Sequence, residues 1–266
     1  MSIKELRKAV KICVISNSGN VGKSIISLTI AGEYQFEKVD VAKFVLDKHH
    51  QELLKAYGTK NKGKLVDNQH AVSGVEIFDV REDGAKSITN LNRSDINGVD
   101  ILEDYPADGI DELNKLPSIE IFVKAHERKK YDLWYIVPIA SKTKCIESAE
   151  AIIETFNGVE SDIVNFIFVF NDGLMGKDKK EAHEAFAKSS VIQEAIASGK
   201  AHTMTMKTML RESTVDIIKG KQLSEIEAMA ETMDYFDYIL LEEHFNDFRK
   251  QFLKIVDIRV PIGQAE

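Results

Sequence analysis

Two glycines, a lysine and a serine near the start of the chain have the spacing of a phosphate-binding loop. Gly19 and Gly22 lie in a short loop, and Lys23 and Ser24 follow directly. Backbone N–H groups of such a loop surround phosphate oxygens, the lysine adds positive charge, and the serine hydroxyl binds Mg²⁺. These residue types predict a site for a nucleoside triphosphate with Mg²⁺.

A strand and a helix must hold this loop in place. Lys11–Ser16 is mostly apolar, as in a buried strand, and Lys23–Phe36 has the apolar content of a buried helix. The helix would begin at the loop, where the positive end of its dipole favours phosphate. The alternative is a glycine-containing turn that precedes Lys-Ser by chance, and the presence of both flanking elements disfavours it.

The stretch Ser18–Ser24, SGNVGKS, resembles the deviant Walker A motif KGGxGK[ST] of the ParA/MinD ATPases, and most of all their StbB plasmid-stability branch. Ser18 stands where that family has its signature lysine, and Asn20 replaces the second glycine. Asn17 replaces the glycine that the general P-loop pattern has five residues before Gly22. The resemblance implies ATP binding, with Lys23 also catalytic and Ser24 also a Mg²⁺ ligand. The implied nucleotide-binding residues are Ser18, Gly19, Asn20, Val21, Gly22, Lys23, Ser24 and Ile25.

Asp47 follows a second predicted strand, Val39–Leu46. Open parallel sheets bind ligands at the carboxyl ends of their strands, so an acid at this position is well placed for chemistry. The corresponding ParA/MinD segment reads DxDPQ. The resemblance implies that Asp47 lies near the attacking water and the metal, as a catalytic residue and a metal ligand.

A second acid, Asp104, ends the predicted strand Val99–Asp104, which with the following YPADG resembles a Walker B segment. The resemblance implies that Asp104 supports the hydration shell of Mg²⁺. Asp100 and Glu103 on the same strand are rival candidates. An acid that only caps a helix or stabilises a turn is a further alternative for Asp104.

Asn171 follows the strongly apolar strand Ile163–Phe170 and precedes Asp172 and Gly173. In P-loop relatives an asparagine at this position reads the adenine edge, because its amide both donates and accepts hydrogen bonds. The resemblance therefore implies base recognition by Asn171. A simple Asn-Asp-Gly turn is the alternative.

Strands and helices alternate along most of the chain. This order predicts an α/β fold, doubly wound around a mainly parallel sheet with helices on both faces, as in P-loop NTPases. We expect one domain over 1–266, with an elaboration at about 51–98 and a C-terminal helix at about 235–257. We also predict a turn at Arg81–Gly84 and one helix at Lys179–Ser198. The predicted strands are 11–16, 39–46, 75–80, 99–104, 133–138, 163–170 and 202–207.

The composition is that of an ordinary globular protein. Hydrophobic residues make up 44% of the 266 residues and charged residues 29%. The sequence has no run of about 18 apolar residues, so we predict no membrane helix. Its start lacks the apolar core of a signal peptide, so we do not expect export. The two cysteines predict a reducing, cytoplasmic location. A net charge of −8 argues against a wholly basic DNA-binding surface, although local basic groups leave nonspecific DNA binding open.

The first functional hypothesis is a ParA-like ATPase of plasmid stability, partition or conjugation. The resemblance implies an ATP-dependent homodimer that works with a plasmid-encoded DNA-binding adaptor protein and no membrane. Hydrolysis would be slow, because Ser18 cannot supply the signature lysine's charge. The alternatives are an ATP-dependent carboxylate ligase similar to dethiobiotin synthetase, and a nucleotide-binding adaptor without meaningful turnover.

Overall fold

A parallel β-sheet forms the centre of the computed structural model, which describes residues 7–83, 96–140, 143–175, 179–208 and 210–262. The strands are β1 Ala9–Val14, β2 Val41–Val45, β3 Lys60–Asn61, β4 Lys64–Leu65, β5 Glu76–Ile77, β6 Asp100–Asp104, β7 Tyr131–Ile139, β8 Val164–Asn171 and β9 Ala201–Met206. Among these, seven form one sheet in the order β5-β2-β6-β1-β7-β8-β9. Each neighbouring pair in this sheet is parallel, whereas β3 and β4 form a separate antiparallel hairpin.

Helices connect the strands and cover both faces of the sheet. They are α1 Lys23–Glu37, α2 Glu52–Tyr57, α3 Val80–Asp83, α4 Gly109–Asn114, α5 Ile119–Arg128, α6 Thr143–Thr155, α7 Asp172–Met175, α8 Lys179–Lys188, α9 Ser190–Ala197, α10 Glu212–Gly220, α11 Leu223–Ala228 and α12 Tyr235–Ile255. The predicted doubly wound α/β fold is confirmed. No helix in the described ranges has the length and apolar character needed to span a membrane.

The core consists of two apolar layers, one on each side of the sheet. Successive residues of β1 alternate between them: Ile12 belongs to the layer under α1 and α12, and Cys13 to the layer under α5 and α6. Both side chains are fully buried. A strand that is buried on both faces has no polar face, and this explains why the parallel strands form nearly continuous apolar runs in the sequence.

The strand predicted at 75–80 is shorter than expected, and the turn predicted at Arg81–Gly84 is wrong over its described part. β5 pairs only through Glu76 and Ile77, as an edge strand beside β2. The side chain of Asp79 then accepts a hydrogen bond from the Arg81 N–H at 3.0 Å, and the short helix α3 covers residues 80–83. An aspartate that binds a backbone N–H two residues on favours such a change of direction. Gly84 lies outside the described residues.

The single helix predicted at Lys179–Ser198 is also wrong, because the structure has α8 and α9 in its place. Ser189 separates them with extended backbone, and its hydroxyl accepts a hydrogen bond from the Ile192 N–H at 3.4 Å. Serine competes with the helix backbone for hydrogen bonds and is favoured as an N-cap. The apolar periodicity continues through both helices and therefore did not reveal the break.

One helix of the predicted elaboration, α2, and the C-terminal helix α12 both contact α1. The described part of 51–98 supplies α2, the β3–β4 hairpin and edge strand β5, and residues 84–95 lie outside the description. The apolar stripe of α12 is buried against the sheet layer that also contains α1. Its buried members are Leu241, Phe245, Phe248 and Phe252.

Candidate nucleotide-binding site

Three strands end side by side at the edge of the sheet where the glycine loop begins. β1 lies next to β6, with Val14 in register with Asp104, and β6 lies next to β2, with Val45 also in register with Asp104. Because the strands are parallel, the loop after β1, Asp47 after β2 and Asp104 at the end of β6 reach the same edge. Topology therefore brings the predicted phosphate and metal residues together.

The glycine loop has the backbone shape that a phosphate cradle requires. Gly22 has φ 95° and ψ 14°, a left-handed conformation, and it precedes the first residue of α1. Asn20 is also left-handed, with φ 56°. Asparagine tolerates this conformation better than most residues, and this explains how it replaces a glycine here. The departure at Asn20 therefore preserves the loop.

Lys23 is bent back over the loop that precedes it. Its Nζ donates a hydrogen bond to the Ser18 carbonyl oxygen at 2.9 Å. Burial lowers the pKa of Lys23, whereas the negative charges of Asp104 and Asp47 raise it. The ammonium group thus lies in the field of both acids, at the position from which it could contact phosphate oxygens.

Ser18 points into the protein. Its side chain is 3% exposed, and its hydroxyl oxygen has no hydrogen-bond partner in the described residues. Its N–H donates to the Ser16 hydroxyl at 2.9 Å. A short, buried side chain cannot extend to a second subunit, so Ser18 does not replace the signature lysine of the motif that the sequence resembles.

The other loop residues contribute in different ways. Ser24 lies in the first turn of α1 and is partly exposed. The side chain of Val21 is buried, so only its backbone can face a ligand. Ile25 is partly buried and packs on the apolar layer below the loop.

Asp104 carries a buried carboxylate at the end of β6. Burial raises the pKa of Asp104 to about 7, and the negative charges of Glu52 and Asp47 act in the same direction, whereas Lys23 lowers it. Ser27 is near enough to lower this pKa, although its hydroxyl has no regular hydrogen-bond partner in the described part of the chain. A cation beside Asp104 would relieve this concentration of negative charge.

Asp47 is equally buried but has polar partners. One carboxylate oxygen accepts a hydrogen bond from the His49 N–H at 2.9 Å and lies 3.5 Å from a guanidinium nitrogen of Arg81. The side chain is therefore held at the edge of the sheet, next to the charge field of Asp104 and Lys23.

The rival acids of β6 have other roles. Asp100 lies at the opposite end of the strand and pairs with Arg7. Glu103 pairs with Lys11 at 2.7 Å inside the core. Strand alternation and register thus leave Asp104 as the acid of β6 that reaches the loop edge.

The residues at this edge fit Mg²⁺ bound together with a nucleotide. Within the described ranges no group of three or more His, Cys, Asp or Glu side chains could hold a metal alone. Mg²⁺ in nucleotide sites needs few protein ligands, because phosphates and waters complete its octahedron. Ser24, Asp47 and Asp104 supply such a partial set, and the negative charges of Glu52 and Asp47 around Asp104 favour a cation there.

Asn171 lies at the same edge, two strands from β1. It is the last residue of β8, is 6% exposed and stands in register with Met206 of β9. The next residue, Asp172, pairs with Lys179 and with His183 at 3.3 Å. Base recognition by Asn171 stays a prediction.

Sequence reasoning did not identify how Asn17 supports the loop. Its side-chain oxygen accepts hydrogen bonds from the N–H groups of Ile110 at 3.0 Å and Asp111 at 3.3 Å, and its amide donates to the Asp111 carboxylate at 2.8 Å. The Asn17 N–H donates to the Ser148 hydroxyl of α6 at 3.1 Å. Asn17 thus binds the first turn of α4, and nothing near it in the sequence indicates this distant partner.

Cavity volume does not single out this edge of the sheet. One of about 580 Å³ lies at the opposite end of the sheet, among Lys8, Glu127 and Lys200. It contains none of the predicted site residues. A phosphate loop is a shallow cradle of backbone N–H groups, so cavity size is a poor guide to such a site.

Comparison with known proteins places the fold. Scans against protein families and curated proteins return no match. Among solved structures, a nucleotide-binding protein in complex with ADP from Archaeoglobus fulgidus is 12% identical, with 90% of this chain and 91% of that chain covered and a TM-score of 0.51. A variant of McdA from Cyanothece in complex with ATP is 13% identical, with 98% of this chain and 100% of that chain covered and a TM-score of 0.50. The chain therefore shares the α/β fold of these two nucleotide-bound proteins.

Proposed function

We propose that this chain binds ATP with Mg²⁺ and hydrolyses it slowly, as a ParA-like switch in plasmid stability, partition or conjugation. The observation that carries the proposal is the meeting of three features at one sheet edge. These are the left-handed Gly22 at the start of α1, the ammonium group of Lys23 and the two buried carboxylates Asp47 and Asp104. Phosphates, a divalent cation and a water molecule need such partners.

Each residue then has a distinct task. The loop amides and Lys23 hold the phosphates, and Ser24, Asp47 and Asp104 hold Mg²⁺, whose charge helps neutralise the triphosphate. The carboxylate of Asp47 also orients the attacking water. Phosphoryl transfer requires mainly such positioning and charge neutralisation. Because Ser18 is buried and uncharged, turnover is slow and the bound state is long-lived.

The proposed partners follow from the motif at Ser18–Ser24. ATP would join two copies of the chain, and the dimer would engage a plasmid-encoded DNA-binding adaptor protein and nonspecific DNA. The chain is acidic overall, so DNA binding would use a local basic patch. We expect DNA binding only with ATP, and we expect it to weaken as the salt concentration rises.

Equilibrium titration with a fluorescent ATP analogue and Mg²⁺ tests the site. We expect Lys23→Ala to weaken binding at least about tenfold, the value of a charge-assisted hydrogen bond. Lys55→Ala is the matched control, because Lys55 is an exposed helical lysine elsewhere on the chain. Absence of binding by the wild type, or equal binding by Lys23→Ala, would overturn the site.

Single-turnover hydrolysis separates the switch from the alternatives. We expect slow release of phosphate by the wild type and acceleration by DNA or by the adaptor protein. Release that requires a small carboxylate substrate would favour the ligase. Tight ATP binding with no phosphate release under any condition would favour the adaptor without turnover.

A further inference from the structure

A guanidinium group from outside the sequence motifs lies at the same edge. The Nε and Nη2 atoms of Arg81 donate to the two carboxylate oxygens of Asp108 at 3.0 and 2.7 Å. Its Nη1 lies 3.5 Å from an oxygen of Asp47. One side chain therefore joins the acid after β2 to the segment after β6.

The backbone of Arg81 is anchored next to Asp47. The Phe78 N–H donates to the Val45 carbonyl at 2.8 Å, and the Val80 N–H donates to the Leu46 carbonyl at 3.4 Å. The side chain of Arg81 is nevertheless 35% exposed. Because the backbone is held and the side chain is partly exposed, the guanidinium group can change partners without movement of the sheet.

The other partner, Asp108, directly follows a residue that lies close to the glycine loop. A Cβ atom added to Gly19 would be 3.8 Å from the Cβ of Ala107, the residue before Asp108. The charge of Asp108 also raises the pKa of Lys23. Arg81 is thus held within the electrostatic field of the residues proposed to bind the terminal phosphates.

We propose that Arg81 binds the terminal phosphate of ATP in the same subunit, exchanging Asp108 for that phosphate. This inference rests on the proposed function. A guanidinium group matches phosphate oxygens as well as it matches a carboxylate, and a partly exposed ion pair costs little to break. Arg81 therefore supplies the positive charge that Ser18 does not, and ADP, which lacks the terminal phosphate, leaves the Arg81–Asp108 pair in place.

The ratio of ADP to ATP dissociation constants tests the inference. It would be measured with Mg²⁺, ADP and a non-hydrolysable ATP analogue. We expect Arg81→Ala to weaken binding of the ATP analogue about tenfold and binding of ADP less than about twofold. Arg81→Lys keeps the charge without the planar fork, so we expect an intermediate ratio. That ratio also decides the question if the alanine variant folds poorly.

Asp108→Ala distinguishes phosphate binding by Arg81 from an Arg81–Asp108 ion pair that only stabilises the structure. It removes the carboxylate that holds Arg81 and leaves the guanidinium group free, so we expect ATP selectivity to be kept or increased. Lys48→Ala is the charge control, because Lys48 pairs with Asp79 and Glu82 on the same side of the sheet edge. We expect its ratio to equal that of the wild type.

Two results would overturn the inference. One is an unchanged ratio of ADP to ATP dissociation constants in Arg81→Ala. The other is a loss of ATP selectivity in Asp108→Ala equal to that in Arg81→Ala, which would mean that the ion pair is only structural. Failure of the proposed function is distinguishable from either, because the wild type itself would then bind neither nucleotide.

Discussion

The two ends of strand β6 carry the same residue type in opposite circumstances. Asp100, at the amino end, has no exposed surface and accepts hydrogen bonds from two Arg7 nitrogens at 2.8 and 2.5 Å, from the Val10 N–H at 2.8 Å and from the Tyr34 hydroxyl at 3.0 Å. Asp104, at the carboxyl end, is also buried, but it lies among negative charges and its pKa is raised to about 7 by burial.

The difference shows what burial means for a charged group. A buried carboxylate that is fully hydrogen-bonded contributes to the fold, because removal of it leaves its partners unsatisfied. A buried carboxylate with few partners costs stability, and such residues are concentrated at functional sites. Asp100 therefore joins the chain segment at Arg7 to the sheet, whereas Asp104 is suited to binding a cation.

The largest expected change in stability is at Asp100, the hydrogen-bonded carboxylate at the amino end of β6. Asp100→Ala leaves Arg7 without its partner, so we expect the free energy of unfolding to fall by about 3–5 kcal/mol, measured by urea denaturation. Asp132→Ala is the matched control, because its pair with Lys8 is largely exposed, and we expect a loss of about 1 kcal/mol or less. An equally small loss in Asp100→Ala would contradict the inference that Asp100 stabilises the fold.

A smaller effect is expected from His126, which lies near Lys11 of the buried Lys11–Glu103 pair. Burial, and then the charge of Lys11, lowers the pKa of His126 to about 3. The unfolded chain binds the proton near pH 6.5, so the stability present above pH 6.5 is lost as the pH falls toward 3. The loss between pH 6.5 and 5 is about 2 kcal/mol.

Urea denaturation at a series of pH values measures this loss. We expect His126→Leu to reduce the loss of unfolding free energy between pH 6.5 and 5 by that amount. Burial lowers the pKa of His244 to about 4, so the contribution of His244 to the loss remains. Other titratable or aromatic groups face the ring, with Tyr131 edge-on at 6.4 Å between ring centres and Phe122 at 4.2 Å. His50→Leu, at an exposed position, is the control, and an identical pH slope in both variants would contradict the prediction.

The smallest expected change in stability is at Asp104, the carboxyl end of β6. Asp104→Asn removes a poorly compensated buried charge, so we expect the free energy of unfolding to rise by about 1 kcal/mol in chelator without nucleotide, as mutations at strained functional sites often do. The gain is small because Lys23 loses a neighbouring charge. In the same variant, Mg²⁺ should no longer strengthen ATP binding. A loss of stability as large as that of Asp100→Ala would show that Asp104 is structural.

Much of the fold could be predicted because its signals are local. Buried parallel strands leave apolar runs such as Ile163–Phe170, and a phosphate loop leaves glycines before Lys23. The break at Ser189 could not be predicted from periodicity, because the apolar pattern continues across it and one serine hydroxyl decides the geometry. The extent of β5 was equally hidden, since an edge strand depends on where its single neighbour ends.

The site was only partly predictable for the same reason. Asp47 and Asp104 could be chosen because they end apolar runs, but the choice of Asp104 over Asp100 and Glu103 depended on which partners each acid meets. Arg81 follows no motif, and it reaches Asp47 and Asp108 only because edge strand β5 pairs with β2. Residues far apart in the sequence meet through strand order, which no local pattern contains.

By itself, the sequence predicted a phosphate-binding loop at Ser18–Ser24 and determined the alternation of strands and helices around it. Both depend on neighbouring residues, through backbone conformation and apolar periodicity. Only the tertiary structure decided that Asn17 binds the first turn of α4, that Ser18 points inward and that Arg81 lies between two acids of the site. These arrangements depend on the order and register of parallel strands, because register determines which side chains share the edge where a nucleotide would bind.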